Sequence, residues 1–532
     1  MKNRIIENWL TNVNEIGYQI PFCQLLISKG YKVIHITRHG SMEQGKDVIA
    51  IAPDGVPCCY QLKAGNISLT DWRNIRGELE ELVELPISHP SIKKSLSHRS
   101  YLVTNGQLAE EVRRGIDDKN KDYEKKGQSS IQTIVKGELL SDFQQYYGDF
   151  LPIDIPDLGL FLDLYRESGR DQFNKDKFSI LLEKLLLSFS ITPKKTSDSL
   201  ISQAVNGSVL ITSYILGSKF NSVNHIAVID GWIMCLSYIF ATIEKFQLKE
   251  KYWKQTVELV LYAIESQFQK LIEDLKKRLH FVQGDVLSDV AVYRTRITVL
   301  SGYLCSYGIF TKLRGSEKKE EYEFIKQFLD KNTHQLVLLG ESMAPLILDI
   351  IFFREAVGDK EHATALLTIL LNSILTSNKP FVGKGLPDPY HSIEEILRLH
   401  LGFIEQIPDE TFRNTSYSLK SAIMLMVRKG MRKELESVWR LITYISCSEF
   451  IPEKKWEIFR WHNDESGDLQ TRFPNSTESW KRIQEETVKN NFSEISKILC
   501  KYPEFILLLL TAYPQRLRYI LIIYVYNLLD KQ

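Results

Sequence analysis

The sequence predicts an α/β N-terminal domain, in which helices flank a mixed sheet, followed by a large all-α C-terminal domain. Two observations support this fold class. Before about residue 150, short runs rich in β-branched and aromatic residues are separated by glycine-containing turns. Beyond about residue 155, apolar residues recur at helical spacing over long stretches. We therefore place the two domains at residues 1–152 and 153–532, with a candidate sub-domain break in the Pro- and Gly-rich segment 377–392.

Three consecutive strands are predicted first, at residues 31–37, 46–52 and 57–63. Each run is short and apolar, and turn residues separate it from the next. The pair Asp54-Gly55 lies between the second and third runs and is typical of a tight hairpin turn. These two strands are therefore predicted to form an antiparallel ribbon.

Helices and further strands complete the N-terminal domain. A polar helix with one apolar face is predicted over residues 70–85. A strand at 99–106 and a helix over 107–124 follow, and residues 131–140 supply another strand and the start of a helix. The order is helix, three strands, helix, strand, helix, strand, which is typical of a sheet covered by helices.

The remainder of the chain is dominated by helical periodicity. We find no fixed repeat of about 34 or 40 residues, so an irregular bundle or a degenerate solenoid is predicted. The most apolar stretch, residues 505–529, contains Pro514, Arg516 and Arg518. Because two arginines would be costly in hydrocarbon, we interpret this stretch as two buried helices around a turn.

Composition excludes several classes of function. The 532 residues carry 67 Lys and Arg against 66 Asp and Glu, so any charge-driven binding must come from local patches. The 7 cysteines include no CxxC pair, which argues against a disulfide framework and against a thiolate zinc site. The N-terminus has no apolar signal region, so we expect a cytoplasmic protein without a membrane partner.

Asp47, Gln61 and Lys63 are the residues that indicate chemistry. Side chains alternate along a strand, so Gln61 and Lys63 point to the same face of the third strand. The hairpin folds back, so Asp47 at the start of the preceding strand is predicted to lie beside the end of the next. An acid, an amide oxygen and a lysine can therefore meet there.

These residue types suit the hydrolysis of a phosphodiester, which needs a hard cation held by oxygen ligands to offset the phosphate charge and acidify water. We predict that Asp47, the side-chain oxygen of Gln61 and the backbone carbonyl of Leu62 bind Mg²⁺ or Mn²⁺. Lys63 is predicted to position the water or to stabilise developing negative charge.

At these residues the chain resembles the PD-(D/E)xK nuclease superfamily, and within it the Mrr-type restriction endonuclease branch, whose pattern is Asp, a hairpin, then Gln-x-Lys. Here 13 residues separate Asp47 from Gln61-Leu62-Lys63. The segments KGYKV at 29–33 and YLVTNGQLAEEVRRGI at 101–116 are also similar to that family. The resemblance covers residues 15–145 and implies a restriction-endonuclease-like fold.

The resemblance also implies an acid on the first helix of the domain. In such nucleases this glutamate lies about eleven residues before the Gly-Tyr that ends the helix, and counting back from Gly30 reaches Gln19. Glu15 lies one helical turn earlier, although Pro21 argues against a continuous helix. The sequence leaves open whether Gln19 or Glu15 fills this position.

Weaker signals indicate contacts with nucleic acid. Lys93, Lys94 and Arg99 form a modest basic cluster that could bind phosphates, although a solvated loop fits the same residues. Asn105 ends a predicted strand in an Asn-Gly turn and could contact a phosphate backbone.

Together with these residues, the resemblance implies a metal-dependent endonuclease that cuts DNA as a restriction or anti-phage defence effector. The helical domain would control it, as a homo-oligomer or through a second defence protein. One alternative is a catalytically weak or inactive module that binds nucleic acid or a partner on a helical scaffold. Another is a helical scaffold whose α/β part serves only to dimerise.

Overall fold

The computed structural model describes most of the chain, namely residues 2–37, 45–87, 89, 92, 97–147, 155–170, 172–188, 198–277, 289–404, 414–462, 464, 466–474, 480–488 and 492–531. The predicted domain boundary at residue 152 lies outside the described residues. The same is true of the predicted phosphate contacts Lys93 and Lys94.

The chain forms two compact units. The first contains Met1–Ile243 and Gln247–Gln267, and the second contains Glu244–Phe246 and Phe268–Gln532. Most of the helical chain between the sheet and Gln267 therefore belongs to the first unit together with the sheet. Gln24 and Thr256 illustrate this packing, because the Gln24 amide Nε2 donates a hydrogen bond to the Thr256 hydroxyl at 3.4 Å.

The strands of the first unit are β1 Lys32–Ile36, β2 Val48–Ile51, β3 Pro57–Lys63, β4 Arg99–Thr104 and β5 Ile131–Ile134. Its helices, including two that continue into the second unit, are α1 Lys2–Asn12, α2 Glu15–Ser28, α3 Leu69–Glu84, α4 Glu110–Lys125, α5 Lys136–Tyr147, α6 Ile155–Arg166, α7 Lys175–Leu186, α8 Asp198–Asn221, α9 His225–Phe246 and α10 Lys254–Lys277. The predicted order of strands and helices between residues 31 and 140 is confirmed.

The strands form one mixed sheet in the order β1-β2-β3-β4-β5. The pairs β1-β2 and β2-β3 are antiparallel, whereas β3-β4 and β4-β5 are parallel. The antiparallel ribbon predicted for residues 46–63 is therefore confirmed. The two parallel connections pass through α3 and α4, as parallel strands require a crossover.

The turn between β2 and β3 differs in detail from the tight hairpin that Asp-Gly favours. Gly55 has φ of +85°, but Asp54 is not among the non-glycine residues with positive φ. The Gly55 amide donates to the Ala52 carbonyl at 2.8 Å, and the Ala52 amide donates to the Val56 carbonyl at 2.9 Å. This pattern is that of a longer hairpin loop, in which one glycine supplies the left-handed residue.

Helices cover both faces of this sheet. Cys59 belongs to a buried apolar cluster with residues of α3 and α4, including Leu79 and Val112. Tyr60, the next residue of β3, packs its ring 5.3 Å from that of Phe22 on α2. Because neighbouring strand residues face opposite sides, α3 and α4 lie on one face and α2 lies on the other.

The helices of the second unit are α11 Val290–Arg314, α12 Lys319–Asn332, α13 Ala344–Ala356, α14 Lys360–Ser377, α15 Ile393–His400, α16 Leu419–Arg428, α17 Arg432–Ile442, α18 Trp480–Val488, α19 Lys497–Lys501, α20 Phe505–Ala512 and α21 Tyr519–Asp530. The two helices predicted within residues 505–529 are confirmed as α20 and α21, with a short 3-10 turn at Pro514–Arg516 between them.

The prediction that residues 153–532 are all-α is wrong in one respect. Three short strands, β6 Thr415–Ser416, β7 Ser446–Phe450 and β8 Asp468–Thr471, form a second sheet in the order β6-β7-β8. The sequence of β7 is Ser-Cys-Ser-Glu-Phe, which lacks the β-branched residues that mark the strands of the first sheet. This unit is otherwise mostly helical.

Within the part of the chain that the structure describes, two helices, α8 and α9, are long and apolar enough to cross a membrane by length and composition alone. Their most apolar windows are 72% and 94% buried inside the protein. Such burial is consistent with core helices of a soluble protein.

Candidate functional site

Asp47 lies immediately before β2, where the backbone already follows the ladder of the sheet. Its amide donates to the Tyr60 carbonyl at 2.9 Å, and its carbonyl accepts from the Thr37 amide at 2.7 Å. The side chain is buried, and Oδ2 accepts a hydrogen bond from the Leu62 amide at 2.6 Å. The predicted meeting of the hairpin strands thus brings this carboxylate against the Gln-Leu-Lys segment.

Gln61 directly follows Tyr60, the residue of β3 that pairs with Val48 at the start of β2. The residue is 4% exposed, and Nε2 donates to Oε2 of Glu78 at 3.2 Å. Oε1 of Gln61 is buried and has no hydrogen-bond partner among the described residues. A buried amide oxygen without a partner is costly, so this atom marks a place where a ligand would be favourable.

Lys63 ends β3 on the same face as Gln61. Its Nζ lies 2.8 Å from Oε2 of Glu78, the oxygen that also accepts from Gln61. Burial acts to lower the pKa of Lys63, but its hydrogen bond to Glu78 and the charges of Glu15, Glu78 and Asp47 outweigh burial and raise it. The ammonium form is therefore favoured, and it is the form that can stabilise a phosphate.

Both candidates for the first-helix acid, Gln19 and Glu15, lie on helix α2. The helix is continuous from Glu15 to Ser28 with Pro21 inside it, so the expected interruption at Pro21 is wrong. Gln19 is buried, and its Nε2 donates to the Thr37 carbonyl at 3.3 Å. Glu15 lies in the first turn of α2, and its charge is one of the causes that raise the pKa of Lys63.

Tyr18 joins the end of the site to the neighbouring strand. Its hydroxyl lies 2.8 Å from the Lys63 carbonyl and 3.3 Å from the Val103 carbonyl. Burial, followed by the charges of Glu15 and Asp47, raises the pKa of Tyr18 well above its ordinary value. The phenol therefore remains a hydrogen-bond donor that fixes the carboxyl end of β3.

Asn105 and Arg99 are the weaker candidates for contacts with nucleic acid among the described residues. Asn105 lies inside the protein, and Arg99 lies away from this constellation. Asn105 is buried, and its amide donates to the Leu10 and Val13 carbonyls at 2.7 and 2.8 Å while accepting from the Gly65 amide at 2.6 Å. Its polar atoms thus tie backbone segments together. Arg99 begins β4, at the strand end remote from Lys63, and pairs with Asp54 at 2.6 Å.

The connection that leads into Asp47 is anchored to α3. Gly45 lies so close to this helix that an added Cβ would come 2.0 Å from the Glu78 carbonyl oxygen. Lys46 is buried, and its Nζ donates to the Glu81 carbonyl at 3.1 Å. The residues before Asp47 and the helix that carries Glu78 therefore hold each other in place.

No protein-family model, curated protein or solved structure matches this chain. The geometry of the site therefore carries the functional argument.

Glu78 and Tyr18 are the members of this constellation that sequence reasoning missed. Glu78 belongs to the helix predicted over 70–85, where it precedes the buried Leu79 and so borders the face that packs on the sheet. A charged residue beside an apolar stripe was the available signal. Such residues are common at the edge of a buried helix face, so the signal has little specificity.

The donor atoms of the site fit a hard cation in part. Asp47 supplies a buried carboxylate, and Gln61 supplies a buried amide oxygen that has no partner among the described residues. The Leu62 carbonyl, the third predicted ligand, belongs to the residue whose amide donates to Asp47. Within the described part of the chain, no group of three or more His, Cys, Asp or Glu side chains is arranged to hold a metal ion. A cation here would therefore depend on neutral oxygens, which Mg²⁺ accepts together with water.

Proposed function

We propose that the N-terminal α/β domain, residues 1–152, is a metal-dependent endonuclease that hydrolyses phosphodiester bonds in DNA. The observation that carries the proposal is the convergence of Asp47, Gln61 and Lys63 on one face of the sheet, with a buried oxygen of Gln61 left without a described partner. This is the constellation on which the chain resembles the Mrr-type restriction endonucleases.

Each residue has a separate task in this proposal. Asp47, Oε1 of Gln61 and the Leu62 carbonyl would hold Mg²⁺ or Mn²⁺. When bound, the cation supplies charge neutralisation at the phosphate and lowers the pKa of attacking water. Lys63 places its ammonium beside these groups and can stabilise the negative charge that develops during hydrolysis.

Glu15, in the first turn of α2, would supply a second carboxylate in place of Gln19. Its charge reaches both Lys63 and Tyr18, and the charge of Asp47 reaches the same two residues. Gln19 instead uses its amide to hold the Thr37 carbonyl. We therefore assign the first-helix acid to Glu15 and a structural role to Gln19.

The remaining residues provide control in this proposal. A nuclease domain of this kind needs only about 120–150 residues, so most of the chain is left for sensing, oligomerisation or inhibition. We propose a cytoplasmic restriction or anti-phage effector that acts as a homo-oligomer or with a second defence protein. Two symmetric sites would allow both strands of a duplex to be cut.

Substitution of the two charged site residues tests the endonuclease. Asp47→Asn keeps an oxygen that can accept from the Leu62 amide, and Lys63→Met keeps the apolar stem of the lysine. We expect each to lower Mg²⁺- or Mn²⁺-dependent cleavage of plasmid DNA by at least about 100-fold. Asp118→Asn and Lys126→Met, which remove charges from exposed pairs, are matched controls that should cleave like the wild type.

The second candidate function is a binding module without cleavage. It is favoured by one observation, namely that Lys63 and Asp47 already have partners within the protein. Parallel assays with duplex DNA, single-stranded DNA and RNA would separate the candidates. Retention of nucleic acid with no cleavage in the wild type or in either variant, at any Mg²⁺ or Mn²⁺ concentration, would favour the binding module.

A further inference from the structure

Glu78 joins two residues of the proposed site through one atom. Its Oε2 accepts from Nε2 of Gln61 at 3.2 Å and lies 2.8 Å from Nζ of Lys63. The Glu78 side chain is 46% exposed, so it lies at the rim, whereas Gln61 is 4% exposed and lies inside. A single carboxylate oxygen thus contacts both side chains that β3 contributes to the site.

This contact determines which end of the Gln61 amide faces inwards. An ionised carboxylate only accepts hydrogen bonds, so the amide must present its NH₂ group to Glu78. Oε1 is thereby turned away from Glu78, and it is buried without a hydrogen-bond partner among the described residues. Without Glu78 the two orientations of the amide would differ much less in energy.

The position of Glu78 is in turn fixed by the chain that enters the site. Gly45 packs against the Glu78 carbonyl, and Lys46 donates to the Glu81 carbonyl one turn further along α3. Asp47 follows directly. The helix that carries Glu78 is therefore held in register with the carboxylate of Asp47 by two neighbouring residues.

We propose that Glu78 is a positioning residue of the candidate metal site: it orients the Gln61 amide so that Oε1 is available as a ligand, and it holds the Lys63 ammonium beside that amide. The inference rests on the proposed function of the same site. It adds a charged residue from α3 that acts through Gln61 and Lys63 rather than on the substrate.

The proposal explains why a glutamine at position 61 suits this protein. A carboxylate at that position would face Glu78 and the two negative groups would repel. Gln61→Glu alone should therefore weaken the site. The exchange Gln61→Glu with Glu78→Gln should restore it, because the new amide at 78 can donate to the new carboxylate at 61.

Binding of Mn²⁺, measured by titration calorimetry on the full chain, tests the inference without reference to cleavage. We expect Glu78→Ala to weaken Mn²⁺ binding by about 10- to 100-fold, the usual effect of removing a residue that orients a ligand. Glu78→Asp should recover part of the loss, and the double exchange should bind more tightly than Gln61→Glu. Glu84→Gln, on the same helix and paired at the surface with Lys126, is the control and should bind like the wild type.

DNA cleavage provides the second measurement. Glu78→Ala should lower kcat by a similar factor and change KM for DNA by less than about threefold, since Glu78 is not proposed to contact substrate. A thermal unfolding midpoint close to that of the wild type would confirm that the variant is folded. If Glu78→Ala does not fold, the test is whether the double exchange binds Mn²⁺ more tightly than Gln61→Glu does.

The outcomes separate this inference from the proposed function. If Asp47→Asn abolishes cleavage while Glu78→Ala retains wild-type Mn²⁺ binding and kcat, only the role of Glu78 is overturned. If Mn²⁺ binding depends on Glu78 but no nucleic acid is cut, the positioning role stands and the endonuclease proposal falls. Absence of Mn²⁺ binding by the wild type overturns both.

Discussion

Gly45 occupies the most constrained position next to the site. It has φ of +66°, a conformation that side chains with a Cβ rarely adopt, and an added Cβ would come 2.0 Å from the Glu78 carbonyl oxygen. Gly55 has φ of +85° but open space around it. Substitution of Gly55 by alanine therefore tests backbone strain alone, whereas the same substitution at Gly45 adds a steric conflict.

We expect Gly55→Ala to lower the unfolding free energy of the first unit by about 1–2 kcal/mol, from backbone strain alone. Gly45→Ala should cost clearly more and should also weaken Mn²⁺ binding, because α3 must move and carries Glu78 with it. Scanning calorimetry and metal titration of the two variants provide the comparison. Equal losses of stability with unchanged Mn²⁺ binding would contradict the proposed link between Gly45 and the site.

The site residues show what a sequence can reveal at this scale. Asp47, Gln61 and Lys63 could be found because all three lie on one hairpin, where alternation and register determine which side chains meet. Glu78 could not, because its contact depends on how α3 is rotated and placed on the sheet. That placement comes from the packing of residues such as Trp72 and Leu79, which periodicity alone does not specify.

At the scale of elements, helix α3 begins at a complete capping box. The Ser68 side chain accepts from the Asp71 amide at 3.3 Å, and the Asp71 carboxylate accepts from the Ser68 amide at 2.9 Å. The sequence prediction started the helix at residue 70, one residue later than the structure does. Caps of this type determine where a helix starts more closely than apolar periodicity does.

Removal of this cap should loosen the start of the helix. Ser68→Ala is expected to cost about 1 kcal/mol, which corresponds to roughly fivefold faster amide exchange in the first turn of α3. Ser68→Asp retains an acceptor and is the control. Hydrogen exchange followed by mass spectrometry measures the effect, and equal exchange rates in Ser68→Ala and the wild type would show that the cap contributes nothing.

The strands illustrate where element prediction succeeds and where it fails. Strands β1–β5 were recognisable because apolar, β-branched runs alternate with turn residues. Strands β6–β8 have two to five residues each and polar sequences, and they form only because distant segments bring them together. Short strands of this kind depend on tertiary context, which overrides local propensity.

At the scale of the whole molecule, buried acids make stability depend on pH. Asp349 on α13 is 1% exposed, and the Thr511 hydroxyl lies 2.6 Å from its Oδ2. Burial raises the pKa of Asp349 well above its ordinary value, although the contact with Thr511 acts in the opposite direction. The neutral acid is therefore the form that the folded second unit favours.

The sign of this dependence follows from proton uptake. Because the folded state holds its proton to higher pH than the unfolded state, Asp349 lowers stability as pH rises above about 3.9, the ordinary pKa of the carboxyl group. We expect the difference in unfolding midpoint between Asp349→Asn and the wild type to grow in favour of the variant as pH rises. Glu436→Gln, at an exposed position, is the control, and parallel pH curves for Asp349→Asn and the wild type would contradict the prediction.

The division into two units is the part of the architecture that the sequence reveals least. The change of periodicity near residue 150 indicates where strands give way to helices. It does not indicate that helices such as α8 pack on α2 within the first unit, which extends to Gln267. Which helices pack together depends on residues that are far apart in the sequence. Several apolar helices have similar composition, so their sequences alone do not show which of them packs on α2.

The four residues of the candidate site lie close together in the sequence, which determines what each subunit of an oligomer would contribute. Asp47, Gln61, Lys63 and Glu78 come from one hairpin and the helix that follows it, so a single polypeptide supplies all four. In an assembly, each copy would then contain a complete set of these groups. If the protein is the oligomeric endonuclease proposed above, mixed oligomers of wild-type and Asp47→Asn chains should nick one strand of a duplex, whereas oligomers of wild-type chains alone should cut both.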